Sequence, residues 1–127
     1  MQLLFIMLGG ALGALCRYLV VNVSYVLISR HFPYGTWIVN TVGSFLTGLI
    51  FVLLLTRFDS HAGYYRSFLL IGFLGSFTTF STFALETWQL LEQGVLLKAF
   101  INILLNLVCC LGAVWLGLSL ARLQIKF

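Results

Sequence analysis

Gly72-Phe73-Leu74-Gly75-Ser76-Phe77-Thr78-Thr79-Phe80-Ser81-Thr82-Phe83 sets two glycines, five hydroxyl residues and four phenylalanines inside an otherwise apolar stretch. The run is expected at membrane depth. Gly75 followed by Ser76, Thr78 and Thr79 disfavours continuous helix there. Irregular backbone in a bilayer persists only where it is buried in protein or lines a polar cavity. A helix interrupted in this way marks a transport site.

Outward from that run, the rest of the chain supplies the membrane context. Of its 127 residues, 61% are hydrophobic and 8% charged, with a mean hydropathy of +1.10, which excludes an ordinary soluble domain. Turn residues and charges divide the sequence into four apolar spans, Leu3 to Ile28, Thr36 to Leu55, Tyr64 to Leu91 and Ala99 to Leu120. Each is close to the roughly 20 residues that cross a bilayer as helix. The expected fold is all-α, a single four-helix transmembrane domain over residues 1–127 with the third helix broken in mid-membrane. No basic n-region precedes the first apolar run and no small-residue cleavage site follows it, so the first span is expected to be a retained helix and not a signal peptide.

Four spans put the termini and the second loop on one side, with Arg57, Arg66, Arg122 and Lys126, and the other two loops opposite, with Arg30 and Lys98. Four basic residues against two is a weak bias. It accommodates insertion in both orientations and equally a modest preference for termini inside. Four helices do not easily enclose a pathway, so oligomerisation is expected. Gly9, Gly10, Gly13 and Ala14 on the first span and Gly43 and Gly48 on the second are small residues at helical spacing. They permit close helix approach, within one subunit or between two.

Polar residues recur in register inside these spans. Thr36, Asn40, Ser44 and Thr47 form one stripe on the second, and Asn102, Asn106 and Cys110 another on the fourth. A single Asn in a membrane helix reads as an interhelical hydrogen bond. Two stripes together with the hydroxyl-rich break suggest a shared polar track. Its amides and hydroxyls can donate to an anion, whereas a cation path would show several carboxylates or a carbonyl filter. Phe80 and Phe83 share a face after the break, and their ring edges carry partial positive charge, although spacing alone reads as packing. Arg17 and Glu86 are the charges expected at membrane depth. Arg17 either draws anions toward a vestibule or snorkels to the headgroups. Glu86 has three readings that spacing does not separate: proton carrier, hydrogen-bond partner, or polar residue near one mouth of the track. Cys16, Cys109 and Cys110 lie in apolar segments without metal-ligand or disulfide spacing. The scattered basic residues give nucleic-acid binding no support.

Three segments in order carry a resemblance: Gly9-Gly10-Ala11-Leu12-Gly13-Ala14-Leu15-Cys16-Arg17-Tyr18, Gly35-Thr36-Trp37-Ile38-Val39-Asn40-Thr41-Val42-Gly43-Ser44-Phe45, and the Gly72 to Phe83 run. Together the chain resembles the CrcB, or Fluc, fluoride channels, from the first helix to the fourth. The resemblance implies a channel and not an enzyme, multi-pass in the bacterial inner membrane, assembled as an antiparallel dual-topology homodimer with two fluoride pores. By matching positions it implies that Phe80 and Phe83 face the permeating ion, that Asn40 lines or opens the pore with Thr36 one turn away, and that Ser81 and Thr82 continue the track toward Glu86. It also implies a structural sodium ion on the backbone carbonyls of Gly75 and Thr78 from each subunit, and no organic cofactor. On the fourth helix it implies a polar stripe of Asn102, Asn106 and Cys110, with Asn106 and Cys110 lining the pore; the family often carries a hydroxyl residue at the last position.

The rival from another class is a small dual-topology proton-coupled exporter, similar to the small multidrug resistance proteins. It needs a titratable acid in its substrate site. The first span has none, and Glu86 alone would have to serve.

Overall fold

A computed structural model describes residues 1–57 and 62–125 of the chain. Residues 58–61, within the second polar connection, and Lys126, counted above among the basic residues, lie outside the described residues. The first two helices are α1 (Gln2–Leu27) and α2 (Tyr34–Arg57). A third span follows in pieces: α3 (Ala62–Tyr65), a π-helical segment π1 (Arg66–Leu74), α4 (Gly75–Phe77) and α5 (Phe80–Glu92). The last helix is α6 (Leu96–Ile125). Among the described residues, four helical spans are thus long and apolar enough to cross a membrane. The chain is an all-helical multi-pass membrane protein.

The connections follow from their sequences. Pro33 cannot donate a backbone hydrogen bond, but its carbonyl accepts from the Trp37 N–H at 3.3 Å and so opens α2. Lys98 Nζ, at the start of α6, donates to the His31 carbonyl at 3.1 Å and ties this loop to the far end of the chain. After α5, Gly94 takes φ +73°. The Gly94 and Val95 N–H groups reach back to the Leu91 and Leu90 carbonyls, both at 3.0 Å. This is the paired closure that ends a helix on a left-handed glycine.

The helices pack in two close pairs, α1 on π1 and α2 on α6. A Cβ added at Gly9 or Gly13 would overlap the Phe68 or Phe73 carbonyl, and one at Gly48 or Gly117 would overlap the Val114 or Phe45 carbonyl. Backbone therefore meets backbone, as small residues permit between helices in lipid. The glycine stripe on α1 is spent on contacts within the chain, which settles its two readings for Gly9 and Gly13.

The distribution of polarity inverts that of a soluble protein. Large apolar side chains such as Leu8, Leu12 and Leu19 on α1 and Leu104, Val108 and Leu111 on α6 face outward. The buried polar set includes Thr36, Asn40, Thr79, Thr87, Asn102 and Asn106. Outward apolar faces suit hydrocarbon, and buried polar groups there must find partners among themselves.

Candidate functional site

The helical path is interrupted at Thr78 (φ −81°, ψ 156°) and Thr79 (φ −152°, ψ 113°), two extended residues between α4 and α5. Gly75, expected to disfavour helix, stays helical at φ −62°, ψ −29°. The departure comes instead at the two threonines, whose branched Cβ atoms favour extended backbone. Thr79 caps α5: its Oγ1 accepts from the Thr82 N–H at 3.2 Å. Thr78 Oγ1 donates to the Leu74 carbonyl at 3.0 Å.

Asn40 holds the extended pair in place. Its Oδ1 accepts from the Thr79 N–H at 2.7 Å and its Nδ2 donates to the Thr79 carbonyl at 3.1 Å, so the side-chain amide binds one residue through both of its backbone groups. The second Nδ2 hydrogen goes to Asn106 Oδ1 at 2.9 Å. Asn106 in turn donates to the Asn102 carbonyl and Oδ1, each at 3.1 Å. The amide hydrogens of Asn40 and Asn106 are therefore all bonded within the protein. Sequence spacing offered these groups to an anion; in the folded chain they fasten the break to α2 and α6.

Beside this clamp lies a cavity of about 340 Å³, lined among others by Ser44, Thr47, Phe80, Phe83, Asn106 and Cys110. Thr47 Oγ1 donates to the Gly43 carbonyl at 2.8 Å, whereas Ser44 Oγ makes no hydrogen bond among the described residues. Phe83 is 7% exposed and Phe80 74%. Their rings lie 5.3 Å apart at 65°, edge to face. One ring is thus locked in the chain, and its neighbour is displayed at the cavity's open side.

A second cavity, about 240 Å³, opens at the other end of α5 and is lined by Glu86, Tyr25 and the basic residues Arg30, His31 and Lys98. Glu86 Oε1 accepts from Thr36 Oγ1 at 2.9 Å and from Tyr25 OH at 3.5 Å. Oε2 is buried without a hydrogen-bond partner among the described residues. Helix α2 therefore presents Thr36 to this carboxylate and, one turn on, Asn40 to the break. Ser81 and Thr82 line neither cavity; their hydroxyls gather on Thr79 Oγ1, at 3.4 Å and 2.9 Å. Arg17 reaches the break, with Nη1 donating to the Thr78 carbonyl at 3.4 Å.

Two of these contacts were invisible to spacing. Tyr25, which donates to Glu86, and Thr87, whose Oγ1 accepts from Asn102 Nδ2 at 2.9 Å, belong to no polar stripe, and each becomes a partner only because its helix crosses another. Among the described residues no three His, Cys, Asp or Glu side chains form a metal-binding group.

The fold and site define a multi-pass helical membrane protein with an interrupted third span, a buried polar clamp and flanking cavities. Residues 4–118 match the family described as CrcB-like protein, Camphor Resistance (CrcB), and the chain belongs to that family. It is 52% identical to a Methylococcus capsulatus protein, over 96% of this chain but 53% of that protein, so it spans about half that relative's length. It is 44% identical to a Coxiella burnetii protein over 96% of this chain and 98% of that protein. A Geotalea daltonii protein is 49% identical over 94% of this chain and 95% of its own. All three carry the name Fluoride-specific ion channel FluC.

Proposed function

We propose that the chain forms a passive fluoride-selective channel that lets cytoplasmic fluoride out across the bacterial inner membrane. The observation that carries this is the 44% and 49% identity, along nearly their whole lengths, to proteins named as fluoride-specific channels. The geometry supports it. Phe83 and Phe80 edge a cavity that also holds Ser44 and Cys110, and ring edges and an unbonded hydroxyl are weak donors suited to a small anion. Hydrogen fluoride crosses membranes uncharged and dissociates in a near-neutral cytoplasm. A negative interior then drives the anion outward at about 2.3 kcal/mol per charge per 100 mV, so no energy coupling is required.

The proposed assembly is an antiparallel homodimer with dual topology and two pores. Phe80 and Ser81 are exposed on α5 in the single chain. A hydroxyl facing hydrocarbon is costly, and a second copy laid on this face would cover it. A structural sodium ion belongs to the same proposal. The Thr79 N–H, which a continuous helix would give to the Gly75 carbonyl, goes to Asn40 instead. The Gly75 and Thr78 carbonyls are then hard neutral oxygens outside a regular helical ladder, a donor type that suits a small alkali cation. Two per chain become four in a dimer. The Arg17 guanidinium near Thr78 opposes a cation there and sets the limit on how close one can approach.

Fluoride release from proteoliposomes, followed with a fluoride-selective electrode, tests the reading. The unaltered protein is expected to release fluoride without a proton gradient, and Phe80→Ile to abolish the flux. Glu86→Gln is expected to keep it, because the amide carbonyl still accepts from Thr36. Flux that requires a proton gradient and disappears with Glu86→Gln would establish the proton-coupled exporter instead.

A further inference from the structure

Thr87 lies one turn after Phe83 on α5 and Asn102 lies on α6, and together they complete a circuit of hydrogen bonds that runs from the break to Phe83. Thr87 Oγ1 donates to the Phe83 carbonyl at 2.7 Å, and it accepts from Asn102 Nδ2 at 2.9 Å. Asn102 Oδ1 and carbonyl accept from Asn106 Nδ2, Asn106 Oδ1 accepts from Asn40 Nδ2, and Asn40 grips the Thr79 backbone on both sides. From Thr79 the first turn of α5 leads back to Phe83. The four side-chain members and Thr79, held by its backbone, are all buried, and Asn102 is at 0% exposure.

A Thr that bonds its own i−4 carbonyl is common in membrane helices and by itself says nothing. Here the same oxygen also receives an amide hydrogen from another helix. That second bond joins the Phe83 carbonyl to α6, while Asn40 joins Thr79 to α2. The two ends of one helical turn are thus held by two helices that are themselves joined through Asn40 and Asn106. Each bond of the circuit gives a buried polar group its partner, so loosening one member takes a partner from the next.

We propose that Thr87 and Asn102 are positioning residues that, through this circuit, fix the first turn of α5 and hence the placing of the Phe80 and Phe83 rings on which anion discrimination depends. The proposal rests on the channel reading above for its functional consequence and on the hydrogen bonds for its mechanical one. Any group that acts only by filling volume would be replaced without loss by an isostere. Thr87→Val and Asn102→Leu keep size and remove the bonds.

Two measurements test it together. Fluoride and chloride release from proteoliposomes gives a selectivity ratio, and hydrogen exchange on peptides covering residues 72–86 in detergent reports the break directly. Thr87→Val and Asn102→Leu are each expected to lower the ratio by about tenfold, the scale of a sub-ångström misplacement, and to speed exchange in that segment. Thr87→Ser, which restores the hydroxyl, is expected to restore both. The double variant is expected to lose no more than either single one, since both act through one circuit. Should Thr87→Val not fold, Thr87→Cys, a weak donor of similar size, reads the same contact. Folded variants with unchanged ratio and unchanged exchange would overturn the proposal, and so would a lowered melting temperature with exchange at residues 72–86 unaltered. An unaltered protein that releases no fluoride would overturn the channel reading, and the exchange data would still decide the clamp.

Discussion

At the scale of single residues, Asn40 shows how a membrane interior changes the meaning of a side chain. Outside water, an extended Thr79 leaves an N–H and a C=O that no helix satisfies, and Asn40 is the side chain that meets both. Asn40→Leu removes the two bonds and strands Asn106 Oδ1 as well. An unpartnered buried group costs on the order of 1–3 kcal/mol, so this variant is expected to lose most of its thermal stability in detergent. Asn40→Asp, which keeps the acceptor for the Thr79 N–H but offers no amide hydrogens, is expected to fall between the two in a melting series. Equal melting temperatures for the three proteins would sink this account. Ser44, in contrast, has a hydroxyl with no protein partner to lose among the described residues, and Ser44→Ala is expected to leave the melting temperature in place.

At the scale of elements, much was legible in advance and for identifiable reasons. Hydropathy alone marked the four spans, because runs of Leu, Val and Phe have no other stable home, and their ends moved by only a few residues in the structure. The polar stripes at Asn40 and at Asn102 and Asn106 were visible as spacing, and they meet. What spacing could not carry was partner choice. Amides that read as donors to an ion prove to be bonded to each other and to Thr79, since that depends on which helices cross. Nor did composition foretell the π-helical turns of Arg66–Leu74, which face α1 with the Phe68 and Phe73 carbonyls seated on Gly9 and Gly13. Gly13→Val would drive α1 away from π1 and is expected to abolish a monodisperse elution profile. Gly94→Ala has open space around its Cβ but a φ of +73°. It is expected to cost only about 1 kcal/mol, the strain of a left-handed alanine, and to elute normally. The contrast between a clash and a strained dihedral separates the two uses of glycine.

At the scale of the whole molecule, the single chain has an unfinished face on α5. Phe80 and Ser81 are exposed beside a cavity that Phe83, Asn106 and Cys110 close from within. The proposed second copy would complete that wall, and it would also bring the Gly75 and Thr78 carbonyls of two chains within reach of one cation. These two roles of the partner are separable. If sodium holds the subunits together, exchanging it for N-methylglucamine during purification is expected to shift the protein from dimer to monomer on size exclusion, and returning sodium is expected to reverse the shift. A dimer held by apolar contact alone would keep its elution volume in either cation. Cross-linking of a Ser81→Cys variant would still report contact across α5, so the apolar interface and the ion can be judged independently. Loss of cross-linking in both cations would place the second copy elsewhere, and it would then be the cavity beside Phe80, open to lipid, that requires another explanation.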